Sequence, residues 1–237
     1  MERCDFLPVS AEEMHERGWW WYDALVVSGD AYVDHPSFGT AVISRVLEAE
    51  GLRVAVLAQP DWHDAEAFRA MGRPRLGVFI GAGNLDSMVA HYTAAKRRRS
   101  EDFYSPGKRS GCRPDRAAIV YCNRAREAFG PDMPIILGSL EASLRRFAHY
   151  DYWDDSVRRA ILFDAPADLL VYGMGEAATI EIAHRLKKKQ SVRTMTDIPG
   201  TGYITRDPSV CKFDHITLPS FEDVRDDKRL YAEATRT

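Results

Sequence analysis

The sequence predicts an α/β fold with a doubly wound, parallel sheet of five strands. Five short runs are apolar at nearly every position, as expected for parallel strands that are covered on both faces. Helical patterns separate the runs, and a glycine follows four of the five within two residues. This alternation is typical of a parallel sheet with crossover helices. The predicted strands are Ala24–Val27, Val54–Ala58, Leu76–Ile80, Ile135–Leu137 and Leu169–Tyr172.

The segments between the strands have the periodicity of amphipathic helices. In the first of them, apolar side chains recur along one face and Gly51 follows as a C-cap. The last ends in three lysines, which suit the negative end of a helix dipole. The predicted helices are Phe38–Glu50, Asp86–Ala95, Arg116–Phe129, Leu140–Phe147 and Glu176–Lys189. Right-handed crossovers then give an open Rossmann-like sheet, for which we predict the strand order 2-1-3-4-5.

The chain changes character after residue 190. We therefore divide it into an α/β Rossmann-like domain, residues 1–190, and an extension, residues 191–237. The extension contains a short predicted strand at Tyr203–Thr205, then a loop, then a helical pattern over Phe221–Ala234. Ser220 precedes that helix as its predicted N-cap.

The composition is that of a soluble globular protein. Of the 237 residues, 45% are hydrophobic and 28% are charged, which excludes a largely disordered chain. The net charge of −3 is too small to attract the whole surface to nucleic acid or to an anionic membrane. No apolar stretch is long enough to span a membrane, and the charged N-terminal segment does not resemble a secretory signal.

The four cysteines predict a reducing, cytoplasmic environment. Cys4, Cys112, Cys122 and Cys211 are scattered and form no C-x-x-C pair, so they do not form a disulfide framework. Cys211 and His215 have a ligand-like spacing, but a structural zinc site needs four ligands and no second pair lies nearby. We therefore predict no metal site.

Polar side chains are concentrated just after the predicted strands, where open α/β sheets bind their ligands. Carboxylates and imidazoles in these loops could bind a divalent metal or transfer protons. The alternative is that they cap helices while the glycines form turns. We expect one cleft to gather the candidate ligand-binding residues Asp30, Asp34, His35, Asp61, Trp62, Asn84, Glu141 and Glu176. The sequence identifies no catalytic residue.

One glycine-rich turn resembles a dinucleotide-binding fingerprint. Gly173-Met174-Gly175 directly follows a predicted strand and is followed by a helix. However, Glu176 would place a carboxylate where the pyrophosphate should lie, and no acidic strand end follows about 20 residues later. Nucleotide binding at this turn is therefore disfavoured.

The segment Lys96–Arg116, here called the basic arm, contains eight basic and three acidic residues. Because the helices on either side of it run in the same direction, the arm must return to the carboxyl edge of the sheet. Phe103 and Tyr104 lie between its two basic clusters, a pattern that suits phosphate or RNA binding. The alternative is a solvated loop. The candidate binding residues are Lys96, Arg97, Arg98, Arg99, Lys108 and Arg109.

A second cluster follows the fourth strand and combines aromatic rings, arginines and carboxylates. Tyr, Trp and Arg dominate the binding energy of interfaces, so we predict a domain interface or a pocket wall here. A well-packed surface turn is the alternative. The candidate interface residues are Arg145, Arg146, His149, Tyr150, Tyr152 and Trp153.

Six stretches carry a more specific signal. They are Gly29–Gly39, Ala58–Trp62, Gly83–Val89, Arg113–Ala117, Glu141–Trp153 and Tyr172–Glu176. Together they closely resemble the N-terminal region of the YgiQ family of radical SAM proteins. The resemblance extends from Phe6 to the last helix.

This resemblance implies an N-terminal domain similar to cobalamin-binding domains, followed by a radical SAM barrel. In such a barrel a C-x-x-x-C-x-x-C motif holds a 4Fe-4S cluster, whose open iron binds S-adenosylmethionine. The motif is absent from this chain, so the chain looks like an N-terminal fragment that is not catalytic by itself. Its extension would lead toward the missing barrel, and its partners would be that C-terminal domain and a substrate that the resemblance does not identify.

No cofactor is expected in this chain on these grounds, and cobalamin is the alternative. Cobalamin domains that supply a His ligand carry D-x-H-x-x-G, and the nearest match here, Asp34-His35 with Gly39, has a different spacing. Gly138-Ser139 stands where such domains often have two glycines. Cobalamin binding without a His ligand is compatible with both departures, and the argument for it is an analogy of fold.

We therefore predict a substrate- or cofactor-binding N-terminal domain of a YgiQ-like radical SAM protein. The alternative is an independent nucleic-acid- or phosphate-binding module that uses the basic arm, with RNA as its partner.

Overall fold

The computed structural model describes residues 6–236 and places a six-stranded sheet between two layers of helices. The strands are β1 (Ala24–Ser28), β2 (Val54–Ala58), β3 (Gly77–Gly81), β4 (Ile135–Leu137), β5 (His149–Asp151), β6 (Ser156–Arg158), β7 (Leu169–Val171) and β8 (Thr201–Gly202). The helices are α1 (Ala11–Glu16), α2 (Gly39–Ala49), α3 (Glu66–Ala70), α4 (Ser87–His91), α5 (Ala117–Phe129), α6 (Ser139–Leu144), α7 (Glu176–Lys187), α8 (Phe221–Asp226) and α9 (Lys228–Arg236). Strands β5 and β6 form a separate antiparallel hairpin.

The main sheet has the order β2-β1-β3-β4-β7-β8. Its first five strands are parallel, which confirms the predicted α/β fold and the strand order 2-1-3-4-5. The predicted strand boundaries agree with the structure to within one residue. They were readable because nearly every residue of these strands is buried, so each run is apolar throughout.

The sheet has a sixth strand where the prediction had five. β8 pairs antiparallel with β7, and it lies just before the predicted strand at Tyr203–Thr205. Gly200 has a φ of +77°, and its carbonyl oxygen accepts a hydrogen bond from the backbone N–H of Tyr172 at 3.0 Å. This turn brings Thr201 onto the sheet edge. Met195 and Ile198 are buried in the same core cluster as β7.

The two faces of the sheet carry separate cores. Val27 faces the side covered by α1, α3 and α5, where it belongs to one buried cluster with Tyr121; we call this side the α5 face. Val26 faces the other side, where it belongs to a cluster with Leu47 of α2 and Ile182 of α7; we call this side the α7 face. The alternation of strand side chains therefore decides which helices each strand contacts.

Several helices differ from their predicted bounds. α4 ends at His91 rather than at Ala95, because the next residue is extended. α6 ends at Leu144 rather than at Phe147. The predicted C-terminal helix divides at Asp227, whose φ of −126° and ψ of 112° are extended. The short helices α1 and α3 and the β5–β6 hairpin were not predicted, since each is too short for a clear periodic pattern.

Candidate functional site

A pocket of about 320 Å³ lies at the carboxyl edge of the sheet, between the strands and helices α2 and α7. Its walls are mostly apolar, with Val26, Phe79 and Ile136 from the sheet and Ile43 from α2. A volume of this size with apolar walls suits a small organic ligand. The pocket also occupies the edge at which open parallel sheets bind ligands.

Glycines at the strand ends form much of the pocket wall. These are Gly81, Gly83, Gly138, Gly173 and Gly175. A Cβ on Gly83 would lie 2.2 Å from Asp30 Oδ1, and the φ of this glycine is +109°, so no other residue fits there. A Cβ on Gly81 would lie 3.1 Å from the Cβ of Ser139, which itself has a φ of +71°. The loops are therefore packed tightly where they border the pocket.

Arg113 is buried beneath this rim and binds two carboxylates. Its Nη1 donates to Asp30 Oδ1 at 2.7 Å and to the carbonyl oxygen of Ala82 at 3.2 Å. Its Nη2 donates to Asp102 Oδ2 at 2.8 Å. Burial raises the pKa of Asp30, and the charge of Arg113 opposes that rise. The ion triad fastens the end of β1 to the basic arm.

Asn84 connects the triad to the pocket, which it lines. Its backbone N–H donates to Asp30 Oδ2 at 2.7 Å. Its side chain accepts from the N–H of Gly39 at 3.3 Å and donates to the carbonyl oxygen of Ser37 at 3.0 Å. Asn84 therefore joins the β3 end to the N-terminus of α2 across the pocket rim.

The structure brings Asn84 and Glu176 to the pocket, with Asp30 directly behind Asn84. Glu176 lies in the first turn of α7 and lines the pocket. His35 is exposed in the β1–α2 loop, where its Nδ1 accepts from the N–H of Ser37 at 3.1 Å, and the next residue, Pro36, lines the pocket. Asp34 is instead paired with Arg45 of α2.

Asp61 and Trp62 do not lie at the pocket. The carbonyl oxygen of Trp62 accepts from Nε of Arg124 on α5 at 2.8 Å, and the Trp62 ring packs against the core of the α5 face. Asp61 is exposed beside His63. The loop after β2 continues into α3 on the α5 face, so its side chains are carried away from the α7 face. Contrary to the prediction, the eight candidate residues therefore do not all converge on one cleft.

Glu141 is also not a pocket residue, because it is buried between three helix N-termini. Its Oε2 accepts from the N–H and the hydroxyl of Ser87 at 3.0 and 2.7 Å, and its Oε1 accepts from the N–H of Ala118 at 3.1 Å. Burial, and secondarily the charge of Asp86, raise the pKa of Glu141. This carboxylate caps α4 and α5.

The basic arm returns to the carboxyl edge above β1. The carbonyl oxygen of Tyr104 accepts from the N–H of Ala31 at 2.8 Å, and Nε2 of Gln59 donates to the hydroxyl of Ser105 at 2.7 Å. All six candidate basic side chains are exposed: Lys96, Arg97, Arg98, Arg99, Lys108 and Arg109. The other two basic residues of the arm are committed, Arg113 to the buried triad and Arg116 to Asp151 and Asp154.

The six candidate interface residues form contacts within the chain. The hydroxyl of Tyr152 donates to the carbonyl oxygen of Ala94 at 2.6 Å, and Nζ of Lys96 donates to that of Trp153 at 3.1 Å. The backbone N–H of Tyr150 donates to the hydroxyl of Tyr231 at 3.0 Å. The hairpin thus holds the arm on one side and α9 on the other.

Of the remaining members of this cluster, Arg145 and Arg146 directly follow α6 and His149 begins β5. Arg145 pairs with Asp86, and Arg146 lies over the rings of Phe147 and Tyr172. Burial lowers the pKa of His149.

Sequence reasoning missed the apolar part of the pocket and the Arg113 triad. Ile43 and Thr179 face the pocket from α2 and α7, yet they fit the ordinary apolar pattern of helices that cover a sheet. Arg113 was counted among the eight basic residues of the arm with no role of its own, although its side chain has no exposed area. A single arginine beside Pro114 gives no sequence signal of burial.

Across residues 6–236, no group of three or more His, Cys, Asp or Glu side chains is arranged to hold a metal ion. No helix among the same residues is long and apolar enough to cross a membrane.

The chain matches the family described as Radical SAM N-terminal over residues 6–237. It is 55% identical over 234 residues to a UPF0313 protein of Clostridium botulinum (strain 657 / Type Ba4) and 52% identical over 233 residues to one of Clostridium perfringens (strain SM101 / Type A). These matches cover 99% and 98% of this chain but 36% and 35% of the relatives. The chain therefore spans about a third of the length of these relatives.

A similar fold occurs in a solved structure from Kitasatospora setae. That protein, TsrM, is described as a radical S-adenosylmethionine methyltransferase with cobalamin and a 4Fe-4S cluster bound. The TM-score is 0.50 at 20% identity, over 77% of this chain and 27% of that one. At this identity the likeness concerns the fold alone.

Proposed function

The chain belongs to the radical SAM N-terminal family, and from this premise we propose that it binds a small-molecule cofactor or substrate for radical chemistry. The resemblance to the YgiQ family is confirmed by the family match and by the UPF0313 relatives. In this proposal the 4Fe-4S cluster and S-adenosylmethionine are held by the two thirds of the protein that lie outside the matched region in the relatives. The chain alone binds the ligand and does not catalyse the reaction.

The observation that carries the proposal is the apolar pocket at the carboxyl edge. The pocket lies between two helices and four strand ends. Several of its lining residues are glycines, which leave space for a ligand because they have no side chains. The buried triad and Asn84 hold the loops around it in place before any ligand arrives. Such preorganisation lowers the cost of binding.

The ligand that we favour is cobalamin, with the uncharged benzimidazole base at the end of its nucleotide tail in the pocket. The similarly folded methyltransferase of K. setae has cobalamin bound. The residues here fit a flat aromatic base: Val26, Phe79 and Ile136 offer apolar contacts, and Gly138 and Gly173 add no side chains. When bound, a corrinoid supplies cobalt chemistry that no amino-acid side chain provides. This chain's contribution is to bind and orient the tail and to exclude water from it.

A dinucleotide fits the same pocket less well. Its pyrophosphate would approach the N-terminus of α7, where Glu176 places a negative charge in the first turn. Anions at helix N-termini are stabilised by backbone N–H groups, and an adjacent carboxylate opposes this. The pocket therefore favours an uncharged base over a phosphate group.

Binding of cyanocobalamin and of cobinamide, which lacks the nucleotide tail, tests this assignment. Equilibrium dialysis should give one cyanocobalamin per chain and a dissociation constant for cobinamide about tenfold higher, because the tail supplies the pocket contacts. Equal affinities would show that the tail does not enter the pocket. Failure to bind either compound would overturn the corrinoid assignment.

A second candidate function is binding of RNA by the basic arm. It is favoured by one observation, the exposure of all six basic side chains along the arm. Titration of a short RNA at two salt concentrations tests it, because phosphate contacts release counterions and weaken as salt rises. Binding that is salt-sensitive and lost when Lys96–Arg99 are replaced by glutamine would support this function. RNA binding that survives these replacements would exclude the basic arm as the RNA-binding surface.

A further inference from the structure

An exposed apolar patch borders the pocket opening. Five large hydrophobic side chains of this region are exposed, by 37% at Tyr172, 44% at Leu140, 54% at Phe147, 60% at Leu144 and 87% at Met174. Single exposed hydrophobic residues are common on soluble proteins, but contiguous patches mark interaction sites.

Contacts join the elements that carry these five side chains. Leu140 and Leu144 are four residues apart on α6 and so share one face of that helix. The guanidinium of Arg146 lies 4.9 Å from the centroid of the Phe147 ring and 5.1 Å from that of Tyr172. α6 is tied to the β7–α7 loop by the hydroxyl of Ser143, which accepts from the N–H of Gly173 at 3.3 Å.

The position of the patch links it to the site. Gly138 and Ser139, at the start of α6, line the pocket, as do Gly173 and Met174. A protein domain that docks on the patch would therefore lie directly beside the pocket opening, next to a ligand bound in the pocket.

We propose that this patch is the docking surface for the rest of the polypeptide, the part that makes up about two thirds of the relatives and lies outside the matched region. Parts of one protein that act on the same ligand must meet where that ligand is held. The inference rests on the proposed function, because it takes the pocket to hold the ligand of the radical chemistry.

Two further features support this occupant over a second copy of the chain. α9 contacts the β5–β6 hairpin through Tyr231 and Tyr150, and that hairpin begins two residues after Phe147, so the last helix of the matched region packs on the segment that follows the patch. A second copy seated here would also place two pocket openings against each other and leave no access to either ligand. Interfaces between domains of one chain commonly combine polar and apolar groups, and this patch combines exposed apolar side chains with the guanidinium of Arg146.

Cysteine labelling tests the proposal without any ligand. Leu144→Cys and Met174→Cys are introduced into the chain alone and into the chain joined to the remaining two thirds of the C. botulinum relative. Trp20→Cys, at a residue that is 80% exposed and precedes β1 at the opposite edge of the sheet, is the matched control. Peptide mass spectrometry follows maleimide labelling at each cysteine separately.

In the joined protein, labelling at both patch positions should be about tenfold slower than in the chain alone, whereas labelling of Trp20→Cys should be unchanged. Equal rates in the two forms would overturn the proposal. Protection in the chain alone that disappears on dilution would overturn it in favour of a second copy.

The same cysteines at the aligned positions of the intact C. botulinum relative provide a second form of the test that needs no joining. Because the labelling experiment contains no ligand, it can disprove docking on the patch while cobalamin binding is still observed. Conversely, failure to bind cobalamin in the dialysis experiment would leave the labelling result unchanged.

Discussion

Arg113 and Asp30 form an ion pair inside the protein, with 2.7 Å between Nη1 and Oδ1 and side-chain exposures of 0% and 2%. The pair joins the last part of the basic arm to the carboxyl end of β1. Asp102 is the second carboxylate that binds the same guanidinium. Asn84, which lines the pocket, donates its backbone N–H to the other oxygen of Asp30. The pair therefore restrains the loop that holds Asn84 at the pocket rim.

Replacement of Arg113 by Met should therefore be strongly destabilising. It leaves Asp30 and Asp102 buried with no cation, which typically costs about 3–5 kcal/mol. Arg97→Met is the matched control, since Arg97 is an exposed residue of the same arm and its replacement should cost less than about 0.5 kcal/mol. Urea unfolding measures both. A loss below about 1 kcal/mol for Arg113→Met would show that the triad is not formed.

Glu141→Gln should have a pH-dependent effect on stability. The pKa of Glu141 is raised above its ordinary value of 4.5, so the folded protein holds this proton more tightly than the unfolded chain does. That contribution to stability is complete below about pH 4.5 and is lost as the pH rises through the folded pKa. Glutamine does not titrate, so the substitution should lower the free energy of unfolding more at pH 5 than at pH 8.

The expected difference is about 1.4 kcal/mol for each unit by which the pKa is raised. Urea unfolding at the two pH values measures it. Glu66→Gln is the control, because Glu66 is 71% exposed and its replacement should have a small effect at both pH values. A larger cost of Glu141→Gln at pH 8 than at pH 5 would mean that the pKa is lowered instead.

Gly29→Ala should destabilise the fold at the end of β1. A Cβ at this position would lie 2.1 Å from the carbonyl oxygen of Ala82, and the backbone must move to relieve the overlap, at a cost of about 1–3 kcal/mol. Gly39→Ala is the contrasting change. Nothing lies within 4 Å of its Cβ position, and alanine in a helix should stabilise by up to about 1 kcal/mol. Thermal unfolding that ranks the two variants in the reverse order would contradict this packing.

Reconstitution with iron and sulfide should give no stoichiometric cluster on this chain. It lacks the C-x-x-x-C-x-x-C motif, and residues 6–236 contain no group of three metal-binding side chains. A radical SAM protein that carries the motif serves as the positive control, since three closely spaced thiolates hold such a cluster. Iron and absorbance measurements check the outcome, and one tightly bound cluster per chain would contradict the assignment of cluster binding to the rest of the protein.

The strands were predictable because each is buried on both faces, and a continuous apolar run is the direct consequence. The edge strand β8 was misplaced by a few residues because a two-residue strand has no pattern of its own. The break at Asp227 is equally hard to read, since the residues on both sides continue a helical pattern.

The failure at Asp61 and Trp62 has a different origin. In the order 2-1-3, the crossover from β1 to β2 and the crossover from β2 to β3 run in opposite directions across the sheet. Right-handed crossovers then place α2 and α3 on opposite faces. The loop after β2 accordingly turns to the α5 face, and the one after β1 to the α7 face. The predicted strand order therefore already implied that the loops after β1 and β2 turn to opposite faces. The observation that ligands bind at the carboxyl ends of parallel strands does not by itself say to which face each loop turns.

The most direct test of the proposed function is the affinity of a pocket-filling variant for cyanocobalamin. Gly138 lines the pocket, its backbone is extended, and a Cβ there would meet nothing closer than the carbonyl oxygen of Val171 at 3.7 Å. Gly138→Val should therefore fold normally and occupy ligand space. Gly202→Val, the same change in β8 and outside the pocket, is the control. We predict that the native chain and Gly202→Val bind equally and that Gly138→Val binds about tenfold more weakly. Equal binding by all three proteins, or no binding by the native chain, would contradict it.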